Sequence, residues 1–159
     1  MRQGSLASLA VAAAVALAVG GCALPKERAA AGERWIRDDS PEGPAKLVLG
    51  VPETDALRVM MTCLPRSGAV DITIVGRTGD PAVLELHSGP VWNRYLGAGH
   101  ASEENEGAVD IDLKLAAADP VLQSLADTGG LTVILGERIM VLPNAFAPAH
   151  DFLAVCRLP

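Results

Sequence analysis

Between Val109 and Leu115 the chain alternates without a break: Val109, Ile111, Leu113 and Leu115 are apolar, and Asp110, Asp112 and Lys114 stand between them. Only an extended strand returns every second side chain to one face, so this segment predicts a strand with one buried and one wetted side. The same rhythm recurs between turn residues from Ala45 onward and predicts strands over 46–51, 56–64, 70–74, 83–87 and 91–96. Pro65 to Gly68 and Thr78 to Pro81 carry the Pro and Gly that turns require. Residues 97–107 read as a polar loop.

The period changes late in the chain. Asp119 before Pro120 is an N-cap with proline at the first helical position, followed by the stripe Val121, Leu122, Leu125 and Ala126 and by the stop Gly129-Gly130. Ala149, Phe152, Leu153 and Cys156 fall at i, i+3, i+4 and i+7, the apolar stripe of a last helix opened by residues 144–148. Between the helices, Gly136-Glu137 separates two apolar runs as a type II′ hairpin turn would. The fold class that follows is α+β or mainly β: a largely antiparallel sheet or sandwich with about two helices in the C-terminal third. Residues 45–159 are expected to form one globular domain.

The N-terminus belongs to another class of segment. Residues 1–21 hold a single charged side chain, Arg2, and no charge occurs from Leu6 to Val19. That pattern is a signal peptide, and the run is short of the roughly twenty apolar residues that span a bilayer. It ends in Val19-Gly20-Gly21-Cys22, which resembles the lipobox of bacterial lipoproteins. The resemblance implies that Cys22 receives lipid on its sulfur, that cleavage falls just before it, and that the new amino terminus is acylated. Ala23 in place of Asp resembles the pattern of outer-membrane lipoproteins, the inner leaflet staying open as the alternative. Residues 22–44, rich in charge, alanine, Gly and Pro, read as a lipidated tether able to stretch about 70 Å. Within it, residues 26–38 have the makings of a transient helix, and Trp35 with Ile36 is the one apolar spot able to dock on the domain or a partner.

With Cys22 assigned to lipid, Cys63 and Cys156 remain. Cys63 shares a strand face with Leu57, Val59 and Met61, and Cys156 lies on the stripe of the last helix, so both point inward. In an oxidising compartment a disulfide is the expected state; two free core thiols, or a catalytic cysteine, are the alternatives.

Charge excludes one class of function. The chain carries −6 overall and −7 in side chains once residues 1–21 are removed, whereas nucleic-acid binding needs a cationic footprint. Reactive patterns are missing as well: there is no Gly-x-Ser-x-Gly and no phosphate loop, and His87, His100 and His150 lack zinc spacing. A hydrolase would require a cleft joining His87 or His100 to a carboxylate. Glu103, Glu104, Glu106, Asp110 and Asp112 lack the oxygen order of a calcium loop and read as a solvated acidic segment. No metal, no cofactor and no enzymatic activity are expected.

Two further resemblances bear on function. Asp119-Pro120-Val121-Leu122, Leu125-Ala126, Gly129-Gly130, Leu142-Pro143 and Val155-Cys156-Arg157, with Cys63, are similar to single-domain envelope proteins of alphaproteobacteria without assigned activity. That resemblance implies export, one disulfide and a compact fold. Ser88-Gly89 and Arg94-Tyr95 resemble the Ser-Gly and Arg-Tyr pair of membrane-bound inhibitors of c-type lysozyme, although residues 90–93 separate them here. The expectation is a periplasm-facing, membrane-anchored binding or envelope-assembly module. Ser88, Trp92, Arg94 and Tyr95 are its candidate contacts with an envelope protein or glycan, and an inhibitor-like or carbohydrate-binding lipoprotein is the alternative. Trp92 and Tyr95 fall on opposite faces of their strand, so at most one is buried.

Overall fold

A computed structural model describes residues 26–38, 43–103 and 105–158. The signal segment and Cys22 therefore lie outside the described residues, as do Glu104 and residues 39–42 of the expected tether.

The strands are β1 (Lys26–Arg28), β2 (Arg34–Asp38), β3 (Ala45–Gly50), β4 (Leu57–Cys63), β5 (Ala69–Arg77), β6 (Val83–Ser88), β7 (Val91–Leu96), β8 (Ala98–Ala101), β9 (Ala108–Ala116), β10 (Thr132–Leu135) and β11 (Arg138–Val141). The helices are α1 (Pro120–Thr128) and α2 (Phe146–Cys156). One sheet has five strands in the order β1-β11-β10-β6-β7, and the other has six in the order β2-β3-β4-β5-β9-β8. Every pairing is antiparallel except that of β1 with β11. The edge strands of the two sheets are neighbours in the chain, β1 with β2 on one side and β7 with β8 on the other. The sandwich is thus sewn by backbone along both seams. At the second seam, Gly97 lies so close to β9 that a Cβ there would meet the Asp112 carbonyl and the Ile111 side chain, each at 2.8 Å. A side chain cannot make this crossing.

The alternation fixes which way each strand faces. Leu47, Leu49, Val59, Met61, Ile72, Ile74 and Ile111 point inward from the six-stranded sheet. They join Leu84, Leu86, Val133, Leu135 and Met140 of the other sheet in one core. Each such side chain contributes roughly 1.5–3 kcal/mol when fully buried. Both helices leave and rejoin the strands at one end. There α1 packs on β6 and β7, α2 on β2 and β3, and the helices on each other. The Asp119 side chain caps α1 by accepting from the Val121 amide at 2.9 Å, and Gly129 closes it in the left-handed conformation. Asn144 rather than the N-cap residue Ala145 meets the first free amide of α2, that of Phe146. Gly136 adopts φ 55° in the β10–β11 turn, as its expected geometry requires. Cys63 and Cys156 form a disulfide that fastens the end of β4 to the end of α2, with Cα atoms 5.7 Å apart.

Two expectations need correction. Residues 26–38 are neither free tether nor transient helix, since β1 pairs with β11 and β2 with β3, so the folded body begins by Lys26 rather than Ala45. Long-range partners override local composition here: Trp35 packs against the core and donates its indole N–H to the Pro143 carbonyl at 2.8 Å. The second correction concerns residues 97–107, which contain β8. This edge strand is exposed along its length and held by its pairing with β9, so no alternation announces it.

Candidate functional site

The β6–β7 ladder sorts the expected contact residues onto two faces. Leu84 pairs with Tyr95 and Ser88 with Val91 on the inner face, whereas Glu85 pairs with Arg94 and His87 with Trp92 on the outer. Trp92 is 59% exposed and stacks on His87, with ring centroids 5.6 Å apart and planes 14° apart. The His87 Nε2 lies 3.2 Å from one Glu85 oxygen, and Arg94 donates to the other through Nη2 at 2.5 Å and Nε at 3.1 Å. Those hydrogen bonds, from Arg94 first and then His87, hold the Glu85 carboxyl below its ordinary range. Trp92, His87, Glu85 and Arg94 form one connected patch. Exposed Val83, Leu96 and Val141 lie on the same sheet face.

Ser88 and Tyr95 stand elsewhere. Ser88 is 1% exposed, its hydroxyl is 3.2 Å from that of Thr128, and its carbonyl accepts from Ser124. Tyr95 donates to Asp119 at 2.8 Å, so it braces the α1 cap, and burial followed by this carboxylate pushes its phenol far up. Both residues join sheet to helix instead of facing a partner, because the strand period turns them inward. Ser88 and Arg94 accordingly occupy opposite faces and do not present the paired side chains of the inhibitor pattern.

A second feature lies on the outer face of the six-stranded sheet. Register brings Ile36, Val48, Met60, Thr73, Asp112 and Ala98 into one row across all six strands. The first five of these residues floor a groove of about 550 Å³. Its wall is the loop 51–56, pinned by Thr54, whose hydroxyl donates to the Val51 carbonyl at 2.7 Å and accepts from the Ala56 amide at 3.2 Å. Across the groove, the His100 Nδ1 lies 3.5 Å from Asp112, which also accepts from Thr73 at 2.7 Å. A carboxylate therefore stands beside both His87 and His100. Thr73 donates its hydroxyl to the same Asp112 that faces His100, and the Ser88 hydroxyl lies 3.2 Å from that of Thr128. Each member of the row is the outward residue of its own strand; what the sequence did not disclose is the register that aligns them.

The opposite end from the helices is closed by charge. Arg138 of β11 binds Glu27 of β1 at 3.1 Å and also Asp80; Arg77 of β5 reaches Glu27 at 2.6 Å, and Arg58 of β4 binds Glu33 at 2.7 Å. The Arg138 hydrogen bond holds the Glu27 carboxyl below its ordinary range. Burial works against the Arg138 charge, but Glu27 and Asp80 outweigh it and raise its pKa.

Among the described residues no group of His, Cys, Asp and Glu is arranged to hold a metal, and no helix is long and apolar enough to cross a membrane. No family model, no curated protein and no solved structure matches the chain.

Proposed function

We propose that the chain is a non-enzymatic binding module of the bacterial cell envelope. Residues 1–21 are removed, lipid on Cys22 holds the body at the outer membrane facing the periplasm, and the outer face of the five-stranded sheet contacts an envelope protein. The observation that carries the contact is Trp92, a large aromatic left 59% exposed on a sheet face with Arg94 beside it. Tryptophan and arginine are the side chains that most often anchor protein interfaces, and apolar surface on a sheet face marks a place of contact. Stacking on His87 and the Glu85–Arg94 pair pre-arrange both anchors, which lowers the ordering cost of binding.

The anchor and the contact are tested separately. Metabolic labelling with an alkyne fatty acid is expected to mark the wild-type chain and not Cys22→Ser; an unmarked wild type refutes the anchor. A photo-crosslinking residue at position 92 is expected to give a discrete protein adduct in intact cells, while one at the exposed Asp127 of α1 gives none. No adduct at 92, or equal adducts at both positions, refutes the protein contact. Retention on peptidoglycan fragments that is lost in Trp92→Ala would replace the protein partner with a glycan.

A further inference from the structure

We propose that the groove on the outer face of the six-stranded sheet is a second binding site, which takes an extended basic and apolar peptide segment of a partner protein. Three of the five floor residues are apolar, Ile36, Val48 and Met60, all partly exposed. The carboxylates of the lining are Glu53 and Asp55 on the loop wall and Glu103 and Asp110 on the other side, with Asp112 between them beside the His100 imidazole. Among the described residues no lysine or arginine lines the groove. Glu53, Asp55, Glu103 and Asp110 make no ion pair with any described residue, in contrast to Glu27, Glu33 and Asp80 at the charged end, each of which is paired.

Charge complementarity selects the occupant. Unpaired carboxylates of one sign around an apolar floor attract a segment that brings cations to the walls and aliphatic side chains to the floor. The same carboxylates repel anionic lipid headgroups and phosphate, so a membrane surface is disfavoured. An alternating peptide matches the layout, because successive side chains of an extended chain point to opposite sides. This site shares no residue with the Trp92 face, so the two proposals stand or fall independently.

The test uses the full chain and a synthetic ten-residue peptide of alternating lysine and leucine, with a glutamate–leucine peptide as control, followed by fluorescence anisotropy at low and at physiological salt. The basic peptide is expected to bind one-to-one, and the acidic peptide not to bind. Neutralising the groove by Glu53→Gln, Asp55→Asn and Glu103→Gln is expected to weaken binding about tenfold. Neutralising Asp71, Asp127 and Glu137 in the same way, outside the groove, is expected to change it less than twofold. Met60→Gln is expected to weaken binding while leaving its salt dependence unchanged, which separates the floor from the walls. Absent binding, equal loss in the two neutralised sets, or equal binding of the acidic peptide would each overturn the proposal. If the triple variant does not fold, Glu53→Gln with Asp55→Asn alone decides it, since both side chains are exposed on one loop.

Discussion

The two ends of the sandwich are closed by different physics. At one end a helix pair is packed into the core through Leu122, Leu125, Phe152 and Leu153 and tied to β4 by the disulfide. At the other, Glu27, Arg58, Arg77 and Arg138 knit four strands of both sheets together by charge. The apolar, covalent end carries the Arg37–Asp151 pair at its surface but rests mainly on packing and on the disulfide, which depends on an oxidising compartment. The charged end is indifferent to redox state but senses protons and ionic strength. Each closure guards against conditions that weaken the other.

Breaking the covalent end should cost most. The bridge closes 93 positions of sequence, which in the loop-closure picture stabilises by about 4–5 kcal/mol. Cys63→Ala with Cys156→Ala should lower the urea midpoint accordingly; a loss under about 1 kcal/mol would assign that end's stability to helix packing alone. Breaking the charged end comes next. Arg138→Ala leaves Glu27 and Asp80 facing each other without their shared partner, and with these groups partly solvated a loss of about 2 kcal/mol is expected. Hydrogen exchange should quicken first at β1, whose sheet partner β11 carries Arg138; uniform quickening would contradict a local closure.

The smallest effect sharpens the contrast by pH. Because the folded state holds Glu27 below its ordinary pKa of 4.5, its contribution is fully present above that value and is lost as pH falls through the lowered one. Glu27→Gln should flatten the acid side of the stability curve by less than about 1 kcal/mol, while reduction of the disulfide should shift the whole curve without changing that slope. An unchanged acid slope in Glu27→Gln would place the proton-sensitive group elsewhere.

Most of the body was legible because local and tertiary preferences agree. Val109 to Leu115, the Asp119-Pro120 cap and the phases of Cys63 and Cys156 each point one way at every level. The edges were not legible. Lys26-Glu27-Arg28 has no apolar alternation, and its strand exists because β11 offers a free edge and Glu27 finds arginines fifty and more positions away. The contact residues were half legible for a related reason. Period two separates Trp92 and Arg94 from Tyr95, but which set faces solvent depends on where α1 lies. The groove needed more still, since its floor exists only once five strands are in register.

The pairing of β1 also sets a leash. Four peptide steps separate Cys22 from Lys26, a span of about 14 Å even when drawn straight. If acyl chains secure Cys22 as proposed, the body would be kept almost against the bilayer, with no long stalk to roam on. In that arrangement its charged closure would lie nearer the headgroups and its helix pair farther off. A partner would then meet the protein at the leaflet, and an interface on either sheet would be met side-on, parallel to the membrane plane.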